Sequence, residues 1–278
     1  MGCNRAEDPL TRFDPWLARW GLIPDGPVIE TPCARLLPVR HLGQPAMLKV
    51  TQSDEERGGY PLMAWWDGEG AAPVLAWDGD ALLMARAIGT RSLLHMSRTG
   101  EDAAATTALC EVLARLHRPR AGAPALVRLE TWFAGLWRFA TDPRLALGAE
   151  VARQALADQR ERLPLHGDLH HGNVLDFDSA GWLAIDPKGI EGDRAFDHVR
   201  LFTNPDLADP RHPVALRPGI FETRLAIVAR DGGFDRRRLL RWIVAGTALS
   251  SAWLLEDGAD ATFTLAVMSR ALEELDGA

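Results

Sequence analysis

The first 88 residues alternate short apolar stretches with turn-forming residues, a pattern typical of β-strands joined by tight turns. The segment Asp54–Trp66 lacks β-branched residues, so a helix is predicted there despite Gly58, Gly59 and Pro61. Residues 1–88 are therefore predicted to form a β-rich N-terminal lobe with one helix. Its five predicted strands are Val28–Thr31, Arg35–Val39, Pro45–Val50, Pro73–Trp77 and Ala81–Ala87.

From residue 89 onward the apolar positions recur mainly at helical spacing. Helices are predicted at Asp102–His117, Ala149–Arg162 and Arg236–Leu255, and the proline-rich stretch 204–219 is predicted to be a loop. Two short strands, Leu175–Phe177 and Trp182–Ile185, form a predicted hairpin between the helices. The fold class indicated is α+β, a two-lobed protein-kinase-like fold with a small antiparallel sheet in the N-lobe and a mainly helical C-lobe at residues 89–278.

Composition narrows the class of protein. Hydrophobic residues make up 47% and charged residues 25% of the chain, an ordinary balance for a soluble globular protein. No apolar run is long enough to cross a membrane, and Met1–Pro9 has no apolar stretch typical of a secretory signal. We therefore expect no membrane association and a cytoplasmic location.

The charge and the cysteines agree with that expectation. A net charge of −7 without a basic cluster argues against a nucleic-acid partner and favours a cationic small-molecule substrate. The scattered residues Cys3, Cys33 and Cys110 are expected to be reduced thiols.

Lysine is rare in this chain. Of its 31 basic residues only Lys49 and Lys188 are lysines. A lysine kept in such a chain indicates a role that the planar guanidinium of arginine does not fill. The alternative is that each lysine is a surface residue without a special role.

The sharpest chemical pattern is His166-Gly167-Asp168-Leu169-His170-His171-Gly172-Asn173, which fits the H-x-D-L-x-x-x-N catalytic loop of kinases. In such a loop Asp168 accepts the proton of the substrate hydroxyl that attacks a phosphate. Asn173, five residues later, turns back to bind Mg²⁺ near that phosphate. His166 and Asp168 are therefore the predicted catalytic residues, and Asn173 is a predicted metal ligand.

Two more segments fit a kinase. The apolar run Trp182–Ile185 ends at Asp186, where the second metal-binding acid is expected, although an isolated Asp there is more often a turn residue. The stretch Ala46–Lys49 resembles the strand whose lysine contacts the α- and β-phosphates.

Three further positions complete the predicted nucleotide site. Glu55 or Glu56 is expected to pair with Lys49. Glu56 is favoured because it leaves more residues for the chain to reverse direction after Lys49. Ala85 and Ala87, at the end of the last N-lobe strand, are also expected to contact the nucleotide. The turn Thr31–Arg35 has no glycines, so nucleotide binding is expected to depend more on Lys49 and metal.

With these residues the chain resembles the aminoglycoside phosphotransferases, most of all the streptomycin 6-kinase (aminoglycoside/hydroxyurea resistance kinase) branch. The resemblance runs through Leu165–Val174, Gly181–Gly189 and the late helix Leu239–Trp253. It implies a protein-kinase-like fold, ATP with Mg²⁺, and phosphorylation of a hydroxyl on an aminocyclitol. It also implies the roles given above for Asp168, Asn173, Asp186 and Lys49.

The substrate is expected to be a cationic aminocyclitol or amino sugar such as streptomycin, held by acids and by stacking on an aromatic ring. For Glu256, Asp257 and Trp253 the alternative is a solvated helix end with a core tryptophan. The full set of candidate substrate residues is His171, Lys188, Glu191, Asp193, Trp253, Glu256 and Asp257.

Other readings remain open. The run Gly167–His170 is similar to a metallophosphoesterase metal motif, but the further ligands which that chemistry needs do not follow it. A catalytically silent kinase fold is a second alternative, although such relatives usually lose Asp168, Asn173, Asp186 or Lys49. A kinase acting on another small sugar or amino alcohol is a third.

Overall fold

A computed structural model describes residue 10 and residues 12–277 of the chain. Cys33 is an exposed free thiol and Cys110 a buried one, whereas the expectations for Cys3 and for the start of the chain fall outside the described residues. Within the described part of the chain no helix has the length and apolarity to cross a bilayer.

The elements of the N-terminal lobe are α1 (Asp14–Trp20), β1 (Ile23–Pro24), β2 (Ile29–Glu30), β3 (Ala34–His41), β4 (Gln44–Thr51), α2 (Asp54–Gly58), α3 (Tyr60–Trp66), β5 (Val74–Asp78) and β6 (Ala81–Ala85). The strands form one antiparallel sheet with the order β1-β3-β4-β6-β5, and β2 also pairs with β3. One face of the sheet packs on Phe13, the residue before α1, and on Leu17 of α1, whereas the other packs on α3 through Met63.

The helix predicted over Asp54–Trp66 is two helices that break at Gly59. A Cβ at Gly59 would lie 1.9 Å from the carbonyl oxygen of Pro187. The break therefore lets the segment that follows Asp186 pack directly against the N-lobe helices, an approach that only glycine permits.

The C-terminal lobe is mainly helical, as predicted, and carries a β-hairpin and a three-stranded sheet. Its elements are α4 (Leu93–Arg98), α5 (Asp102–Leu116), β7 (Val127–Arg128), α6 (Leu129–Trp132), α7 (Ala134–Trp137), α8 (Ala146–Ala157), β8 (Arg162–Leu165), β9 (Val174–Asp176), β10 (Trp182–Ala184), β11 (Ile190–Asp193), α9 (Arg200–Thr203), α10 (Ile220–Gly232), α11 (Arg236–Glu256) and α12 (Thr262–Asp276).

Helix α11 is the centre of this lobe. Its residue Trp242 is fully buried and meets Phe133 and Phe196 in edge-to-face ring contacts. The helices α8 and α12 pack along it. The loop predicted at 204–219 contains turns and neither helix nor strand.

One predicted helix is too long. The prediction carried α8 through Arg162, but the helix ends at Ala157 and residues 162–165 form β8. This strand pairs with β11, with Leu165 opposite Ile190. The pairing is non-local and buries Leu165, which the local pattern does not reveal.

The connection between the lobes is fixed to the hairpin β9–β10. The Gly89 amide donates to the carbonyl of Asp176 at 2.9 Å, and Arg91 forms a two-point ion pair with the Asp176 carboxylate. The Arg91 hydrogen bonds lower the pKa of Asp176 to about 2. The lobe boundary between residues 88 and 89 remains a prediction, with β6 ending at Ala85 and α4 beginning at Leu93.

Candidate active site

The loop that follows β8 carries the predicted catalytic residues, and the carboxylate of Asp197 binds its backbone amides. The Asp197 carboxylate accepts from the amides of His166, at 2.8 Å, and Gly167, at 2.6 Å. His117 Nε2 lies 2.9 Å from the same carboxylate. Burial acts to raise the pKa of Asp197, but its hydrogen bonds with His117 and the Gly167 amide and the nearby histidines together outweigh burial, so the pKa lies below its usual range. Asp197 is therefore an ionised anchor for this loop.

His166 is buried and its ring is fixed at both nitrogens. The Asp168 amide donates to Nδ1 at 3.3 Å, and Nε2 lies 2.8 Å from the carbonyl oxygen of Ile185. Since Nδ1 is the acceptor, Nε2 carries the proton and donates it to Ile185. Burial lowers the pKa of His166. The ring is therefore neutral and links the loop to the segment before Asp186.

The next two histidines also lie in the protein interior. His170 Nδ1 accepts from the Gly172 amide at 3.0 Å, which leaves its Nε2 facing Asp168 Oδ2 at 3.9 Å. Burial lowers the pKa of His170 to about 4 and that of His171 to about 3. His171 is 3% exposed, so the structure buries this predicted substrate residue.

Asn173 and Asp186 lie at neighbouring points of the cleft. The Ile185 amide donates to the Asn173 carbonyl at 2.9 Å, which brings the end of the loop beside the residue that precedes Asp186. The Asn173 side-chain nitrogen donates to the Asp168 carbonyl at 3.0 Å, so its Oδ1 is the atom available to a cation. Asp186 has a φ of 60°, a left-handed conformation that is uncommon outside glycine and is often found at functional sites.

Lys49 joins the two lobes. It is 2% exposed, and its Nζ contacts the carboxylate of Glu56 and lies 2.7 Å from Asp186 Oδ1. Glu56 reaches this point because Ser53 caps α2, with its hydroxyl accepting from the Glu56 amide at 3.4 Å. The favoured partner Glu56, and not Glu55, makes the contact with Lys49.

The second lysine extends this network. Lys188 Nζ lies 2.8 Å from Glu56 and 3.2 Å from Glu55. Burial opposes the charge of Lys188, but the carboxylates of Glu56 and Asp168 outweigh burial and raise its pKa. Burial acts to raise the pKa of Glu56, but Lys49 and Lys188 together hold that pKa below its ordinary value. Both lysines of the chain therefore meet at one glutamate.

The predicted nucleotide residues Ala85 and Ala87 are partly buried, as are Leu175 and Ile185 of the opposite lobe. All four side chains pack against one buried apolar cluster that joins the sheet to the hairpin β9–β10. Such a surface suits a flat heterocyclic ring. Leu175 and Ile185 were not predicted as site residues, because an apolar strand position carries no chemical signature.

The other substrate candidates are dispersed. Glu191 is half-exposed, with its carboxylate 3.5 Å from Arg128. Asp193 is buried at the end of β11, where it accepts from the Arg160 amide and pairs with Arg238. Glu256 pairs with Arg138, and Asp257 ends α11 in an exposed position.

Trp253 is the exception among them, because it lies close to the catalytic loop. Its ring meets Trp132 edge-on and lies under the guanidinium of Arg200, which itself pairs with Asp168 at 3.1 Å. Neither Arg200 nor Asp197 was predicted. Each is an ordinary charged residue in a short segment without a motif, and only its distance behind Asp186 could have pointed to it.

Comparison with known proteins agrees with this geometry. Residues 19–258 match the family described as aminoglycoside/hydroxyurea antibiotic resistance kinase. The chain is 50% identical to a streptomycin 3''-kinase of Klebsiella pneumoniae over 94% of this chain and 100% of that protein. It is 30% identical to a streptomycin 6-kinase of Streptomyces glaucescens over 90% of this chain and 84% of that protein.

Solved structures give the same fold. An aminoglycoside phosphotransferase in a ternary complex with ADP and hygromycin B superimposes with a TM-score of 0.62, covering 94% of this chain and 97% of the other at 15% identity. The predicted two-lobed fold is thus confirmed. The chain belongs to the aminoglycoside/hydroxyurea antibiotic resistance kinase family.

Proposed function

We propose that this protein transfers the γ-phosphoryl group of Mg-bound ATP to a hydroxyl of an aminocyclitol such as streptomycin, with Asp168 as the catalytic base. The observation that carries the proposal is the contact between Lys49 and Asp186, residues 137 positions apart. It brings the predicted phosphate ligand of one lobe to the predicted metal ligand of the other. Asp168 and Asn173 lie on the adjoining loop.

The nucleotide is proposed to lie between the lobes. Lys49 supplies a compact positive charge to the α- and β-phosphates, and Glu56 holds that charge in place. The base ring is proposed to lie against the partly buried apolar side chains of Ala85, Ala87, Leu175 and Ile185. This arrangement fits an enzyme whose β2–β3 turn has no glycines to approach the phosphates.

The metal ligands proposed are Asn173 Oδ1 and the Asp186 carboxylate. A neutral amide oxygen and a carboxylate suit Mg²⁺, which usually takes one or two protein ligands and completes its shell with phosphate oxygens and water. Among the described residues no group of three or more His, Cys, Asp or Glu forms a site for a protein-caged metal. When bound, Mg²⁺ neutralises charge on the phosphates.

The reaction proposed is a direct displacement. Asp168 takes the proton of the acceptor hydroxyl as that oxygen forms a bond to the γ-phosphorus. The bond between this phosphorus and the β–γ bridging oxygen breaks, and its electron pair leaves with ADP. His166 has a positioning role, because its neutral ring holds the Asp168 amide and the Ile185 carbonyl together.

Streptomycin is the substrate best supported. Two relatives are named streptomycin kinases, for the 3'' and the 6 position, and the chain's net charge of −7 suits a cationic substrate. We propose that the cleft beside Asp168 and Trp253 receives it. We propose that the reaction takes place in the cytoplasm, which the use of ATP and the free thiols of Cys33 and Cys110 support.

The test is an ADP-release screen of the purified protein with Mg-ATP over streptomycin, other aminocyclitols, hydroxyurea, neutral sugars and amino alcohols. We expect turnover with streptomycin and a product heavier by one phosphoryl group. Fragmentation of that product in the mass spectrometer distinguishes the 3'' from the 6 position. Phosphorylation of hydroxyurea or a neutral sugar, with no aminocyclitol modified, would overturn the substrate and leave the kinase.

A further inference from the structure

The two carboxylate oxygens of Asp168 have different surroundings. Arg200 Nε lies 3.1 Å from Oδ1, within ion-pair distance. The other oxygen, Oδ2, is 3.9 Å from His170 Nε2, which is too far for a hydrogen bond. One oxygen of the proposed base is therefore engaged by a permanent cation, and the other is not engaged by His170.

Arg200 is itself held by α11. Its Nη1 donates to Ser250 Oγ at 3.0 Å, and Ser250 Oγ donates its own proton to the Gly246 carbonyl at 2.9 Å. The hydroxyl oxygen is thereby oriented as an acceptor for the guanidinium. The Trp253 ring centroid lies 5.8 Å from Arg200 Cζ, and Ser250 and Trp253, three residues apart, share one face of the helix.

The same short segment also carries Asp197, which binds the amides of His166 and Gly167. Three residues later Arg200 reaches the side chain of Asp168. Residues 196–203 therefore hold both the backbone of the catalytic loop and the carboxylate at its centre. This second contact matters because the terminal torsion of an Asp side chain has a broad, weakly restricted range.

We propose that Arg200 is a positioning residue that engages Oδ1 of Asp168, so that Oδ2 takes the proton of the acceptor hydroxyl. The inference rests on the proposed function, because it assigns a role within that reaction. The guanidinium supplies a positive charge beside Oδ1 at every working pH, and its planar fork contacts Asp168 and Ser250 at once. Arg200 thus ties the orientation of the base to α11, the helix that carries Trp253.

The experiment compares Arg200→Gln, Arg200→Lys and Ser250→Ala with the wild-type enzyme. The matched control is Arg194→Gln. Arg194 is exposed to a similar degree and also contacts a carboxylate (Glu161) and an aromatic ring (Phe234), with the carbonyl oxygen of Gly232 in place of a hydroxyl. The measurements are kcat, KM for ATP, KM for the acceptor and the thermal unfolding midpoint.

We expect Arg200→Gln to lower kcat by up to about 10²-fold, the cost of a misplaced reacting group, with KM for ATP unchanged. Arg200→Lys keeps the charge but loses the fork, so its loss of kcat is smaller. Ser250→Ala removes the hydrogen-bond acceptor of Arg200 Nη1 and should lower kcat by an intermediate factor. Arg194→Gln lowers the unfolding midpoint as Arg200→Gln does, but keeps the wild-type kcat.

Chemical rescue separates positioning from folding. Methylguanidine added to Arg200→Ala should restore part of the lost kcat, and it should not change the activity of Arg194→Ala. If Arg200→Gln does not fold, Ser250→Ala and Arg200→Lys decide the question by the same split between kcat and KM.

Two results overturn the inference. One is a kcat for Arg200→Gln and Arg200→Lys equal to that of the wild type. The other is a rise in kcat/KM, which would mean that Arg200 blocks the base. Failure of the proposed function looks different, since the wild-type enzyme would then phosphorylate no acceptor in the screen and the inference would fail with it.

Discussion

At the scale of single residues, Lys49 is a buried charge that two carboxylates offset. Its ammonium group contacts Glu56 and Asp186, and the side chain is 2% exposed. A buried cation is tolerated only when it is paired, and desolvation offsets most of what such a pair contributes to stability. The burial of Lys49 is therefore better explained by function than by stability. The proposed purpose is to meet the phosphates of ATP.

Replacing Lys49 with Arg tests this purpose. The charge is kept, but the broad planar guanidinium fits poorly where a compact charge must meet two phosphates. We expect kcat/KM for ATP to fall at least about tenfold, measured by steady-state kinetics. The unfolding midpoint serves as the control for folding. Wild-type kinetics in Lys49→Arg would make Lys49 an ordinary strand residue.

The two proposed metal ligands should differ in their importance. Asp186→Ala removes a carboxylate, the ligand that Mg²⁺ prefers, and should abolish Mg-dependent ATP binding in calorimetry. Asn173→Ala removes a neutral ligand and should weaken it less. An equal loss in both variants, or no loss in Asp186→Ala, contradicts these assignments.

Part of the site could be predicted from the sequence because its spacing is local. Asp168, Asn173 and Asp186 lie on one loop and the hairpin that follows it, so their order along the chain nearly fixes their arrangement. Glu56 was favoured correctly as the partner of Lys49. Arg200 was missed, because its contact with Asp168 depends on how residues 196–203 pack beneath the loop.

At the scale of elements, Gly59 between α2 and α3 and Gly189 after Asp186 decide how closely the two lobes approach. Gly59 lies against the carbonyl of Pro187, and a Cβ at Gly189 would lie 2.3 Å from the Gly58 carbonyl oxygen. The segment after Asp186, which carries Lys188, therefore packs backbone to backbone on the helices near Glu56.

Gly59→Ala should disrupt this contact. Its φ of −79° suits alanine, so the effect is a clash with Pro187 and not backbone strain. We expect a loss of about 1–3 kcal/mol in the free energy of unfolding and a raised KM for ATP. The control is Gly58→Ala, whose Cβ would meet its nearest atom at 3.9 Å. Equal behaviour of the two variants in urea unfolding and kinetics would refute the clash.

Elements were predictable where hydrophobic periodicity is strong. Helices α5 and α11 match their predictions within two residues. The prediction failed where partners are distant in sequence. The strand β8 was not predicted, and its first residue, Arg162, was included in a helix, because only the pairing with β11 makes this segment a strand.

At the scale of the whole molecule, several buried histidines link stability to pH. Burial lowers the pKa of His170 to about 4 and the pKa values of His171 and His198 to about 3. These residues stay neutral in the folded protein and take up protons in the unfolded chain near pH 6.5. Above about pH 6.5 these histidines do not lower the free energy of unfolding. That free energy decreases as the pH falls from there towards their pKa values in the folded protein.

The free energy of unfolding should therefore fall as the pH is lowered from about 6.5 to 4, by roughly 1.4 kcal/mol per pH unit for each such histidine. Urea unfolding at a series of pH values measures this slope. His198→Asn, which keeps a donor near the Arg194 carbonyl, should reduce the slope, whereas His95→Gln at an exposed position should not. A slope unaffected by His198→Asn would show that other groups control acid stability.

The fold and the family were both predicted from the sequence and are confirmed. The motif of the catalytic loop and the order of strands and helices were enough to predict the fold and the family, because both are local features of the sequence. The substrate pocket was not predictable to the same degree. Asp193, a predicted substrate residue, is buried and pairs with Arg238 of α11, a contact between segments distant in sequence.

Asp168 is proposed to be the base of a phosphoryl transfer to an aminocyclitol. This role is tested by single-turnover phosphorylation of streptomycin by Asp168→Asn, which keeps the side-chain shape but cannot take the proton. We predict a rate about 10²–10⁴-fold below that of the wild type with ATP binding retained. A variant that keeps more than about a tenth of the wild-type rate would show that Asp168 is not the base, since general-base catalysis contributes far more than that.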